Sequence, residues 1–61
     1  MLHEMYQVNS HDKYFVIGGN PDGNGGGVIV STNDMAFALS IQKQAIKLGY
    51  TKVQVVTWTE L

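Results

Sequence analysis

The chain has 61 residues, a formal net charge of -1, no cysteine and four lysines as its only permanent cations. A chain of this length forms one domain, residues 1–61, and buries only about 60% of the surface that its unfolded form exposes. Without cysteine or arginine, a disulfide framework, a thiolate metal site and a duplex-DNA reader are excluded. We find no signal peptide or membrane-spanning stretch and therefore expect a soluble cytoplasmic protein that gains stability from an oligomer, a ligand or unusually good packing.

Taken in chain order, the predicted elements are strand, strand, strand, helix and strand. A short strand is predicted over residues 4–8, followed by a polar turn. Segments rich in β-branched and aromatic residues predict strands at 13–17 and 27–31, and the segment 51–58 predicts the last one. The segment 31–50 predicts a helix. This order predicts an α+β fold in which a single helix packs on an antiparallel or mixed sheet of three to four strands.

The turn between the second and third predicted strands has the sequence NPDG, from Asn20 to Gly23. Proline presets the backbone for a type I turn, and Gly23 accepts the left-handed conformation that follows it. This turn predicts a register that pairs Asn20 with Asn24. The sheet would then have two apolar faces, one with Tyr14, Val16, Val28 and Val30, the other with Phe15, Ile17 and Ile29.

Five glycines beside this turn are not required by it: Gly18, Gly19, Gly25, Gly26 and Gly27. Glycine weakens a strand and is expected where another backbone or a ligand comes close. We predict that the turn is structural and the glycine patch functional, so threonine at Gly25 and Gly26 should leave the fold intact and reduce binding. The alternative is a mobile hairpin tip without a role.

The glycine patch does not fit a nucleotide hydrolase. Such a loop runs directly into a helix N-terminus and carries a lysine, whereas VIVS intervenes here and no G-K-[ST] follows. A looser arrangement stays open, in which the amides of Gly25, Gly26 and Gly27 and an aromatic ring, Tyr14 or Trp58, hold a small nucleotide without hydrolysing it.

Two further patterns are interpreted as turns rather than as sites. Residues 20–25 match the beginning of a calcium loop, but the twelfth position is Ser31 where a bidentate glutamate belongs. Residues 10–12 spell Ser-His-Asp, yet consecutive turn residues cannot easily converge as nucleophile, base and orienting group. We therefore expect no metal, no cofactor and no enzymatic activity.

The helix is expected to begin with Ser31 or Thr32 as its N-cap, with Asp34 stabilising the positive end and Gly49 terminating the last turn. Its apolar stripe covers an arc of about 200°, roughly twice what packing on one sheet requires. A flank of the stripe is therefore expected to contact a partner, unless the N-terminal segment covers it. The two flanks are Phe37 with Leu48 and Leu39 with Ile46.

In the last strand Val56 and Trp58 share one side, and Val53 and Val55 share the other, so one of these sets must face away from the helix. Trp58 is either a core residue or the anchor of an interface. The alternatives predict opposite outcomes for its replacement.

Two classes of function stay open. The first is a small protein-binding inhibitor or adaptor, of the kind common among phage and mobile-element accessory proteins, which forms a homo-oligomer and binds a larger protein. Because one helix covers only one apolar face of the sheet, we expect a two-fold dimer. The alternative is that residues 1–5 fold over the other face and that the protein is monomeric. The expected interface residues are Phe37, Leu48, Val56 and Trp58. The second class is an oligomeric binder that sequesters a small anionic ligand such as a nucleotide through the glycine patch and nearby aromatic rings.

Overall fold

The structure is a computed structural model that describes residues 8–60. It contains strand β1 (Tyr14–Gly19), strand β2 (Gly26–Thr32), helix α1 (Met35–Lys47) and strand β3 (Thr51–Thr57), followed by a 3-10 turn (Trp58–Glu60). Both β2 and β3 pair antiparallel with β1, in the order β2-β1-β3. The predicted α+β class is confirmed, with one helix on a three-stranded antiparallel sheet.

The connection from β2 through α1 to β3 places two parallel strands on either side of β1. The predicted first strand, residues 4–8, lies outside the described residues except for Val8, which is in no strand. Within residues 8–60, no helix is long and apolar enough to cross a membrane.

The NPDG turn forms as predicted. The Gly23 N–H donates to the Asn20 carbonyl at 3.1 Å, and Gly23 has a φ of 80°. The Asp22 carboxylate accepts a hydrogen bond from the Asn24 N–H at 2.8 Å. Turn chemistry thus accounts for both the proline and the aspartate of this loop.

The predicted register of this hairpin is wrong, because the loop is one residue longer than expected. The Asn20 N–H donates to the Gly25 carbonyl at 2.8 Å, so Asn24 belongs to the loop and the first strand pair is Gly19 with Gly26. A bulge then shifts the pairing again, between Val16 and Ile17 of β1.

The longer loop exchanges Val28 and Ile29 between the predicted faces of the sheet, and the bulge returns Val30 to its predicted face. Val28 lies opposite Ile17 and therefore shares the face of Phe15, whereas Ile29 packs with the core beneath the helix. The extra residue on β2 brings both Ile29 and Val30 to the helix side, which a strict alternation of period two cannot do.

The N-cap of the helix is Asp34, and the expectation of Ser31 or Thr32 is wrong. Asp34 Oδ1 accepts hydrogen bonds from the Ala36 N–H at 2.9 Å and the Phe37 N–H at 3.3 Å. Strand β2 continues through Thr32, whose hydroxyl accepts a hydrogen bond from the Asp34 N–H at 3.0 Å. Ser31 and Thr32 are therefore residues of strand β2, and the helix begins at Met35, three residues after Thr32.

The end of the helix is as predicted. Gly49 has a φ of 98°, its N–H donates to the Ile46 carbonyl, and the Tyr50 N–H donates to the Ala45 carbonyl at 3.0 Å. This pair of bonds is a Schellman motif, which glycine favours because it has no Cβ in the left-handed region.

The core lies between the helix and one face of the sheet. Ala38 is fully buried and Ala45 nearly so, which allows the helix axis to approach the strands closely. The sheet contributes Val16, Val30 and Val53 to the same cluster. Larger side chains close its edges, namely Tyr14, Ile29, Ile41, Tyr50 and Val55.

Candidate functional site

The sheet face opposite the helix is the first candidate surface, and we call it the open face. Successive side chains along a strand point to opposite faces. Because Val53 and Val55 pack with the core, Val56 faces away from the helix, opposite Phe15 of β1. The apolar members of the open face are Phe15, Ile17, Val28, Val56 and Trp58.

Trp58 is the most prominent residue of the open face. Its side chain is 57% exposed, so it is not a core tryptophan, and its ring lies 5.7 Å from that of Phe15 at an angle of 46°. Phe15 is fully buried although it lies away from the helix. The tilted contact therefore holds one side of the indole against a fixed ring and leaves the other side to solvent.

The 3-10 turn that carries Trp58 is fastened by a carboxylate. Glu60 Oε1 accepts hydrogen bonds from the Thr57 N–H at 2.8 Å and from the Thr57 hydroxyl at 2.9 Å. The backbone hydrogen bond, and after it the hydroxyl hydrogen bond, stabilise the charged form of the Glu60 carboxyl and lower its pKa. Burial has a smaller effect in the opposite direction. The turn thus fixes the position of the indole at the end of β3.

The glycine patch lies at the other end of the open face and lines a broad, open depression of about 520 Å³. Its apolar side is formed by Ile17 and Val28, and its polar side by Lys52 and Gln54. The remaining lining residues are the patch itself, Gly18, Gly19, Gly25, Gly26 and Gly27.

Three of these glycines have a structural reason that the sequence does not reveal. A Cβ at Gly26 would overlap the carbonyl oxygen of Gly18 and the Cα of Gly19 across the hairpin, and one at Gly19 would lie 2.5 Å from the Thr51 hydroxyl. Gly25 has a φ of 80°, which strains any other residue. The expectation that threonine at Gly25 and Gly26 leaves the fold intact is therefore wrong.

The structure does not bring the predicted nucleotide-binding residues together. Tyr14 packs against the core on the helix side of the sheet, and five residues of extended strand, about 17 Å, separate it from Gly19. Trp58 follows Thr57, which pairs with Tyr14, and therefore lies at the same distant end. The cation that lines the depression is Lys52, which has a φ of 51° beside an irregularity in the β1–β3 pairing.

Both flanks of the helix are exposed. Gln42 Nε2 donates to the Val53 carbonyl at 3.0 Å and so places its side of the helix over β3. Leu48 lines a small cavity with Ile29 of β2, so the other side of the helix lies over β2. Helical geometry assigns Phe37 to the side of Leu48.

We name these surfaces by the strands that they overlie. The β2-side flank consists of Phe37, 46% exposed, and Leu48, 65% exposed. The β3-side flank contains Leu39, 45% exposed, and Ile46, 57% exposed. The two flanks thus offer similar apolar surface on opposite sides of one helix.

The turn interpretations of the other motifs fit the contacts. Ser31 Oγ donates to Asp12 Oδ2 at 2.6 Å and accepts from the Asn9 N–H at 2.7 Å, which fastens residues 9–12 to the end of β2. The calcium-like segment is the hairpin loop. Among the described residues, no group of three or more histidine, cysteine, aspartate or glutamate side chains is arranged to hold a metal ion.

Comparison with known proteins identifies no family for the chain. No family model matches the sequence, and neither a curated protein nor a solved structure matches it. The candidate functional surfaces of the chain are therefore the open face, the glycine depression and the two helix flanks.

Proposed function

We propose that the chain is a non-enzymatic protein-binding module, an inhibitor or adaptor, which forms a homodimer through the open face and docks on a larger protein through the helix. The observation that carries this proposal is the position of Trp58, half exposed on the one sheet face that the helix does not cover. Exposed tryptophans backed by buried residues are the usual anchors of protein interfaces.

The open face favours a second copy of the chain because it is apolar and carries little charge. Ile17 and Val28 border the glycine depression, Val56 lies opposite Phe15 beside the indole, and Lys52 lies at the far end. A two-fold axis through this face places the exposed apolar side chains of one copy against those of the other. Phe15 is already buried within the chain, so the gain comes from the exposed Trp58 and Val28 and the partly exposed Ile17 and Val56, at no more than about 1.5–3 kcal/mol for each.

The dimensions of the molecule suit such an interface. They are 29 × 22 × 19 Å, so a face bounded by any two of them has an area of roughly 400 to 640 Å². A stable interface buries at least about 1,000 Å² in total, or about 500 Å² from each subunit. Most of one face of this chain is therefore needed for a dimer.

A dimer built on the open face leaves both helices on the outside. Each helix then presents Phe37 and Leu48, the expected contacts for a larger partner, about 16 Å apart along its axis. Two exposed apolar side chains on one face of a helix fit a shallow apolar groove on another protein.

A comparison of the two helix flanks tests the docking proposal. The tagged chain with Phe37→Ala and Leu48→Ala is compared with the wild type and with a control that carries Leu39→Ala and Ile46→Ala, which removes similar exposed surface. A partner that docks on the β2-side flank is captured by the wild type and the control and is lost from the first variant. Equal capture by both variants, or equal loss, contradicts the proposal.

A second candidate is the binding of a small anion in the glycine depression, and the specific observation in its favour is Lys52 beside the glycine backbone. In this arrangement the anion contacts the glycine backbone and Lys52, and neither Tyr14 nor Trp58 takes part in binding. A thermal-shift series with nucleoside mono- and triphosphates tests it: the Tm of the wild type should rise with the nucleotide, and that of Lys52→Ala should not. An unchanged Tm in the wild type contradicts this candidate.

A further inference from the structure

We infer that Asn24 is a site of spontaneous deamidation, at which the hairpin loop converts an amide to a carboxylate on the rim of the glycine depression. The inference rests on the contacts that the four asparagines of the chain make. Three of them are held by hydrogen bonds or followed by a residue that cannot react, and within residues 8–60 Asn24 has neither form of protection.

The chemistry needs a backbone N–H next to the asparagine and no added reagent except water. The nitrogen of the following residue attacks the side-chain Cγ, a C–N bond forms, and the side-chain nitrogen leaves as ammonia after taking up a proton. Water then opens the five-membered succinimide ring at one of its two carbonyls. The products are aspartate and isoaspartate, the latter with one extra carbon in the main chain.

At Asn24 both reacting groups are available. The next residue is Gly25, which has no side chain to crowd the attack, and a Cβ placed there meets nothing within 4 Å. Among the described residues, the Gly25 N–H donates no hydrogen bond and the Asn24 side chain makes none. Both residues are exposed, so water reaches the ring that forms.

The other asparagines are protected by contacts that the structure defines. Asn9 Oδ1 accepts from the His11 N–H at 2.9 Å, and Asn33 Oδ1 accepts from the Lys13 N–H at 2.9 Å. Asn20 donates through Nδ2 to the Asn24 carbonyl at 3.1 Å.

The residues that follow Asn20 and Asn33 also disfavour the reaction. Asn20 precedes Pro21, which has no N–H to attack with. The N–H that follows Asn33 belongs to Asp34 and donates to the Thr32 hydroxyl at 3.0 Å. The fold therefore concentrates the reaction at one position.

The conversion changes the loop in two ways. It places a second carboxylate beside Asp22, which already accepts a hydrogen bond from the Asn24 N–H, and it adds a negative charge next to Gly25, which lines the depression. In the isoaspartate product, the longer main chain also displaces the Gly25 carbonyl from the Asn20 N–H that closes the loop.

The test incubates the folded full-length chain and the urea-unfolded chain side by side at mildly alkaline pH, and it maps the products by peptide mass spectrometry. In the folded chain we expect a mass gain of about one dalton at Asn24 alone, with the aspartate and isoaspartate peptides as separate peaks. The reaction should be faster at higher pH because the attacking backbone nitrogen must lose its proton. Asn24→Gln should stop the reaction, since its ring would need one more atom.

Two results would overturn the inference. The first is a folded chain in which Asn24 survives while the unfolded chain reacts, because the loop would then protect the side chain. The second is conversion at Asn9 or Asn33 in the folded chain at the rate seen at Asn24, because the hydrogen bonds at those residues would then give no protection.

Discussion

Replacing Gly26 by alanine should damage the hairpin more than any other single methyl group added to the glycine patch. The new Cβ would overlap the carbonyl oxygen of Gly18 and the Cα of Gly19, and backbone atoms cannot rotate away. The two strands must separate at the pair formed by Gly19 and Gly26.

The expected cost can be worked out from these contacts. Overpacking costs about 1–3 kcal/mol, and one or two strained ladder hydrogen bonds add about 1 kcal/mol each, less about 0.4–1 kcal/mol gained from the stiffer unfolded chain. A net loss of about 1–5 kcal/mol follows. A 61-residue chain has a total stability of only about 3–9 kcal/mol. Gly26→Ala should therefore remove a large share of the stability of the protein.

Gly19→Ala is the matched control, because its Cβ meets a side-chain atom, the Thr51 hydroxyl at 2.5 Å. Its destabilisation should be largely relieved by the second substitution Thr51→Ala, whereas the same second substitution should not rescue Gly26→Ala. Urea unfolding followed by circular dichroism and by the fluorescence of Trp58, the single tryptophan, measures all four variants. A Gly26→Ala variant within about 0.5 kcal/mol of the wild type would refute the reasoning.

Three further predictions concern the helix and the end of β3. Asp34→Ala should cost about 1 kcal/mol in urea unfolding because it removes the N-cap, and a variant as stable as the wild type would contradict the cap assignment. Hydrogen bonding lowers the pKa of the Glu60 carboxyl in the folded state. The stabilisation of the fold by this carboxylate is therefore complete above the unfolded pKa of 4.5, and it is lost as the pH falls through the folded pKa. The urea midpoint should therefore drop in that acidic range, and Glu60→Gln should make the drop smaller. Leu48→Ala should change the Tm little, since the side chain is 65% exposed, and a large decrease would show that it belongs to the core.

The helix and the strands follow from the sequence because local patterns specify them. The apolar stripe, the NPDG turn and Gly49 each act through a few neighbouring residues, and the structure places all three as predicted. The predicted N-cap was wrong by two or three residues because Ser31 and Thr32 belong to β2, and Ser31 is hydrogen-bonded to Asp12, 19 residues away in the chain.

The register and the open face depend on contacts that no local pattern contains. One extra loop residue moves Val28 and Ile29 to the opposite faces from those predicted, and the bulge returns Val30 to its predicted face. The reason for Gly26 likewise lies on the neighbouring strand. A sequence with six glycines near one turn indicates a close approach, but only the pairing identifies the backbone that comes close.

Sedimentation analysis of the wild type and of Trp58→Ala at micromolar concentration tests the central claim, a dimer through the open face. The wild type should sediment as a single species of twice the chain mass of 6.7 kDa, and Trp58→Ala should remain folded by circular dichroism but sediment as a monomer. A wild-type chain that sediments as a single species near 6.7 kDa, or a Trp58→Ala variant that dimerises as strongly as the wild type, would contradict the account.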